Sequence, residues 1–120
     1  MADNALVIYH NPNCSKSNLA LEYLSKQAID FRVVDVLHDT LSLADLQSLQ
    51  GKLGAEAKDL VRHADPAFEA HKNILSGTEE ELLLWLIQNP DFLHRPYVTK
   101  GELAILARPI ERLAQWITTV

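Results

Sequence analysis

Leu6-Val7-Ile8-Tyr9-His10-Asn11-Pro12-Asn13-Cys14-Ser15-Lys16-Ser17 holds the change from one kind of backbone to another. Leu6 to Tyr9 is apolar with two β-branched residues, Asn11-Pro12-Asn13 marks a turn, and a helical pattern begins at Ser15. A strand that turns directly into a helix puts Cys14, the single cysteine of the chain, at the helix start. There the first backbone N–H groups have no intrahelical partner and the peptide dipoles present their positive end. Both favour thiolate over thiol. An ordinary thiol, with a pKa of about 8.5, is only a few per cent ionised at neutral pH, and the thiolate is the nucleophile. A fall of roughly two units would make the reactive form the majority species.

Outward from this stretch, Ser15 through Ala28 predicts a helix with Ala20, Leu21, Tyr23, Leu24 and Ala28 on its apolar side. Phe31-Arg32-Val33-Val34-Asp35-Val36 predicts a second strand, so the N-terminal third is a βαβ unit, expected to be parallel and right-handed. The middle is helical. Ser42 opens a segment with Leu43, Leu46, Leu49 and Leu53 in register and Gly54 at its end. A short helical piece over Ala55 to Val61 leads to Arg62, and Asp65-Pro66 restarts the chain. Thr78 with Glu81 has the form of a capping box before Leu82, Leu83, Leu86 and Ile87, and Asn89-Pro90 closes that helix. Pro96 to Thr99 and Glu102 to Leu106 predict two strands about a turn at Lys100-Gly101. Pro109 suits the first position of a last helix bearing Ile110, Leu113, Ala114 and Ile117.

The 120 residues are one domain's worth, and 48% hydrophobic with 22% charged residues is ordinary globular composition. No apolar run reaches the roughly 18 residues of a membrane span, and Met1-Ala2-Asp3-Asn4 lacks the basic start of a signal peptide. A cytoplasmic location and no membrane partner are the expectation. The formal charge of −5 argues against a nucleic-acid surface but leaves room for a local cationic pocket. A single cysteine excludes an internal disulfide, so a redox cycle must take its second thiol from another molecule. Apart from His10, the histidines (His38, His63, His71 and His94) show no metal-ligand spacing, and no metal is expected; His63 and His94, beside arginines, are expected to face solvent.

Around Cys14, His10 is placed across a turn to bring positive charge near sulfur, Lys16 adds a cation, and Ser17 offers a hydroxyl hydrogen bond to the thiolate. The N–H groups of Ser15, Lys16 and Ser17 would also form an anion-binding concavity. The alternative is an inert, partly buried cysteine with an incidental histidine. Arg95-Pro96 and Arg108-Pro109 match one another: each arginine is pushed toward extended backbone by its proline and sits at an element boundary. A hairpin between them returns both to the same end of the sheet, and Arg62 is a third candidate from the helical insert. Three guanidinium groups facing a thiolate would suit a tetrahedral dianion through bidentate bonding; the alternative is three solvated surface arginines.

His10-Asn11-Pro12-x-Cys14, Arg62, Arg95-Pro96-x-Val98 and Arg108-Pro109, in this order across nearly the whole chain, resemble the glutaredoxin-dependent arsenate reductase family. The resemblance implies an α/β, thioredoxin-like fold: a four-stranded mixed sheet in the order β-α-β, helical insertion, β-β-α, with a cis peptide at Arg95-Pro96. It implies one domain over residues 1–120 with the insertion at about 42–90. It makes Cys14 the nucleophile, His10 the group that helps ionise it, and Arg62, Arg95 and Arg108 the oxyanion ligands. Asn11, Ser15, Lys16, Ser17 and Pro96 are the supporting residues. It implies arsenate as substrate, glutathione as external reductant, glutaredoxin as partner, no bound cofactor, and a monomer. Two other readings stay open: a monothiol redox protein acting on glutathione mixed disulfides through Cys14-x-x-Ser17, and a non-enzymatic regulatory protein on the same scaffold.

Overall fold

In the computed structural model, which describes residues 5–27, 29–39 and 41–119, the opening run forms strand β1, Leu6–His10. Helix α1 follows over Ser15–Lys26 and strand β2 over Phe31–Asp35. The chain then divides into two units: the residues up to Asp39 together with those from Arg95 onward, and the segment between them.

The first unit is completed by β3 (Tyr97–Lys100), β4 (Leu103–Leu106) and a final helix, named α4 below, over Ile110–Thr119. Its four strands lie in the order β2-β1-β3-β4, with β1 and β2 parallel and the other neighbours antiparallel. A β-α-β half and a β-β-α half sharing one mixed sheet is the thioredoxin-like arrangement. Register explains its core. Leu6 pairs with Phe31 and Lys100, Ile8 with Val98, and Val98 with Ile105, so these side chains share one face. On that face Leu6, Ile8 and Val98 cluster with Ala20 and Leu24 of α1 and Leu113 of α4. Ile8, Ala20, Leu24, Val98 and Leu113 are fully buried. Truncating Leu24 to Ala would cost about 2–5 kcal/mol. The turn falls at Gly101 and Glu102, one residue later than expected, because Lys100 still pairs with Leu103; Gly101 sits at φ 58, a conformation that favours glycine. Helix α4 begins one residue after Pro109, whose carbonyl accepts from the Arg112 N–H. The α1 helix ends at Lys26; Ala28, expected on its apolar side, lies outside the described residues, as does Met1 to Asn4.

The second unit holds α2, Leu43–Leu53, and α3, Glu79–Gln88, joined by 3₁₀ turns over Ala57–Leu60 and Pro66–Ser76. Both helices start with reciprocal caps. Ser42 pairs with Asp45, and Thr78 with Glu81, whose carboxylate accepts the Thr78 N–H at 3.0 Å. Gly54 ends α2 in the left-handed conformation (φ 63), where glycine carries no Cβ penalty. Phe68, Trp85 and Phe92 form a ring cluster with His71, which the leucine spacing did not foreshadow. His63 is exposed, edge-on to Phe68, and His94 is half-buried rather than solvent-facing as expected. Among the described residues no helix is long and apolar enough to cross a membrane.

Candidate active site

His10 ends β1 on the same face as Leu6 and Ile8, the face covered by α1. The turn Asn11–Asn13 then reverses the chain. Its geometry is held by the Asn11 side-chain carbonyl, which accepts the Asn13 N–H at 2.9 Å, and by the Asn11 backbone carbonyl, which accepts from the Cys14 N–H at 3.0 Å. Cys14 is the N-cap of α1, with extended backbone at φ −110 and ψ 121, and its carbonyl accepts the first helical bond from the Asn18 N–H. The helix carries no acidic residue in its first turn, so nothing there competes for its N–H groups.

Those groups serve the sulfur. Cys14 is 8% exposed, and burial alone would push its thiol up. The Ser17 N–H, the Arg95 guanidinium and the Lys16 N–H all hydrogen-bond to it, and the Arg95 charge adds to them. Together they outweigh burial and hold the thiol below its ordinary value. The thiol at the helix start is thus held down in the expected direction, but three of the groups act differently from expectation.

Ser17 acts through its backbone, not its hydroxyl. The hydroxyl accepts the Asn11 N–H at 3.0 Å and shares a 2.5 Å hydrogen bond with His10 Nδ1, so it is committed away from sulfur. His10 likewise has no hydrogen bond to Cys14: its ring is buried, and burial pushes its pKa down, offset in part by the Asp35 carboxylate and the Ser17 contact. A neutral imidazole is favoured at neutral pH, which replaces the expected positive charge with a brace on the loop. Lys16 is exposed, and its contribution is its N–H rather than its ammonium. Ser15 is also exposed. The Asn11 side chain is fully buried, and its Nδ2 has no hydrogen-bond partner among the described residues.

The hairpin brings Arg95 and Arg108 together. Tyr97 pairs with Leu106, the Ala107 N–H donates to the Pro96 carbonyl at 2.9 Å, and Arg108 Nη1 lies 3.4 Å from the Arg95 carbonyl. Both Arg–Pro bonds are cis, the second one unforeseen. Arg95 is 7% exposed and Arg108 half-buried. Sulfur and two guanidinium groups thus belong to one end of the sheet in the first unit. Arg62 belongs to the second unit, where its Nη1 lies 3.4 Å from the Asp65 carboxylate and 3.3 Å from the Asp91 carbonyl. Among the described residues, no group of three or more His, Cys, Asp or Glu could hold a metal ion.

The residue that sequence reasoning missed is Asp35, the carboxylate nearest to His10 in its effect. The signal was available, since parallel pairing of β1 with β2 sets His10 opposite Asp35. The His10–Ser17 bond had a weaker signal: the two flank a turn whose helix brings the third residue after Cys14 back toward β1.

Fold and site together define a thioredoxin-like protein with one thiol, stabilised as thiolate, at the start of its first helix. Residues 9–115 match the ArsC family, and the chain belongs to it. It is 33% identical to the uncharacterized protein YfgD of Escherichia coli K12, over 90% of this chain and 92% of that one. It is also 33% identical to an arsenate reductase of Neisseria meningitidis, over 88% and 92% of the two chains. Among solved structures, a putative arsenate reductase from Yersinia pestis superposes with a TM-score of 0.84 at 31% identity, covering 92% of this chain and 98% of that one. An arsenate reductase from Vibrio cholerae gives 0.82 at 29% identity, covering 96% and 98%.

Proposed function

We propose that this chain is an arsenate reductase drawing its electrons from glutathione and glutaredoxin. The observation that carries the reading is the Arg95 guanidinium bonded to a Cys14 sulfur whose pKa is lowered. Such a pair both activates a nucleophile and supplies charge for an oxyanion attacked by it. Family membership and relatives named arsenate reductase support the substrate.

In this mechanism the Cys14 thiolate attacks arsenic, an As–S bond forms, and one arsenate oxygen leaves as water after protonation. Arg95, Arg108 and Arg62 neutralise the remaining oxygens; Arg62 enters on its place in the family motif. Glutathione thiolate then attacks the Cys14 sulfur. The S–S bond forms as the As–S bond breaks, and its electron pair stays on arsenic, which departs as arsenite. A glutaredoxin thiol removes glutathione from the mixed disulfide and returns Cys14. Two thiols are oxidised to one disulfide for each two-electron reduction of As(V) to As(III). His10 and Ser17 act as positioning residues through the loop. Residues 1–120 work in this reading as one domain with an insertion at about 42–90, as a monomer, in the reducing cytoplasm.

The test is NADPH oxidation coupled through glutathione reductase, glutathione and glutaredoxin. Oxidation dependent on arsenate in the native chain, and absent in Cys14→Ser, is the expected result. A coupling system that is competent with another reductase but gives no arsenate-dependent signal here would reject the reading.

A further inference from the structure

At the other end of the sheet, the first unit contains a cavity of about 480 Å³ that the thiol chemistry does not use. Its size is that of a small-molecule pocket. It lies where β1 and β2 begin and β3 ends, so along β1 it is removed from His10 by four residue steps, roughly 13 Å.

Register builds its floor. Leu6 is paired with Phe31 on one side and Lys100 on the other, so all three side chains stand on the face shared with α4. Ile117, near the end of α4, and Ile29, 38% exposed in the α1–β2 connection, complete an apolar wall. The rim carries charge: Lys100 stands on the same face as Leu6 and Phe31, and among the described residues Asp30 is the carboxylate that lines the cavity. Lys100 is half-buried and makes no ion pair or side-chain hydrogen bond among the described residues. A partly desolvated ammonium without a counter-ion is costly until an anion meets it. An apolar wall beneath it rewards a ligand that carries its own hydrocarbon.

From this arrangement we infer a second binding site, for a small organic anion with an apolar body and one carboxylate or sulfonate head. The body lies against Leu6, Phe31 and Ile117, and the head faces Lys100. The inference is independent of the arsenate reading, because none of these residues serves Cys14.

The probe is the anionic dye anilinonaphthalene sulfonate, followed by its fluorescence, with decanoate as competitor. Saturable dye fluorescence is expected, displaced by decanoate and left in place by excess sulfate, which would compete at an inorganic-oxyanion site. Lys100→Glu should weaken dye binding about tenfold or more, with Lys100→Gln intermediate, because a direct charge contact becomes a repulsion. Amide chemical shifts of Leu6, Phe31 and Ile117 should move with decanoate. The inference is overturned if Lys100→Glu binds dye like the native chain. Displacement by sulfate, or shifts gathered at Cys14 and Arg95 instead, would overturn it equally.

Discussion

His10 and Leu6 end the same strand on the same face of the sheet, and their surroundings are of different kinds. At the His10 end, nearly every polar group is committed to another: Asn11 to Asn13, Ser17 to His10 and Asn11, and Lys16, Ser17 and Arg95 to sulfur. At the Leu6 end the wall is apolar, and Lys100 holds its charge above it without a partner among the described residues. A network of short hydrogen bonds fixes atoms to within a fraction of an ångström, as bond-making chemistry requires. An apolar wall with one charge fixes only the kind of ligand it accepts. The same four strands therefore support a position-sensitive site at one end and a composition-sensitive one at the other.

Removing the nucleophile breaks the first end most severely. Cys14→Ser should lower arsenate turnover by more than about a thousandfold in the coupled assay, since a hydroxyl at this site is not ionised. Arg95→Ala comes next, with a fall in kcat/KM of about a hundredfold and a higher Cys14 pKa, because both a hydrogen bond and a charge leave the sulfur. The pH dependence of iodoacetamide alkylation measures that pKa directly. In the native chain its midpoint should lie below the roughly 8.5 of a free thiol.

Ser17→Ala separates the brace from the chemistry. It leaves His10 Nδ1 and the Asn11 N–H without their partner, which should cost about 1–3 kcal/mol in urea unfolding while the helix N–H groups remain. His10 supplies a pH signature with a definite sign. Burial lowers its folded pKa, so between that value and the unfolded value of about 6.5 the unfolded chain binds more protons. Its contribution is therefore present above about pH 6.5 and lost as pH falls through the window. Native protein should lose more stability across it than His10→Gln, read from urea midpoints. Lys16→Ala marks the smallest effect: its ammonium is exposed and its N–H survives, so the alkylation midpoint should stay within about 0.3 units of native.

Much of this molecule is legible along the chain because the signals are local. Val7 and Ile8 before Asn11-Pro12 specify a strand and a turn, and Thr78 with Glu81 specifies the start of a helix. Each depends on neighbours within one turn. The convergence of Arg95 and Arg108 was legible too, since a hairpin returns its two ends to one place whatever else the chain does. The partners of side chains were harder to read. Ser17 had a hydroxyl and a backbone N–H to offer, and the sequence does not say which would reach sulfur. The ring contacts of Phe68, Trp85, Phe92 and His71 are likewise invisible in a segment whose leucines dominate its periodicity.

The order of amino acids alone determined that a lone thiol would stand at a helix start, because a strand, an Asn-Pro turn and a helix are each fixed by adjacent residues. Packing alone decided that His10 would be buried against Ser17 and favoured as neutral, that Arg95 would lie on the sulfur, and that Lys100 would share a wall with Leu6 and Ile117. Charge state and hydrogen-bond choice follow from desolvation and facing geometry, and both are set by residues distant along the chain.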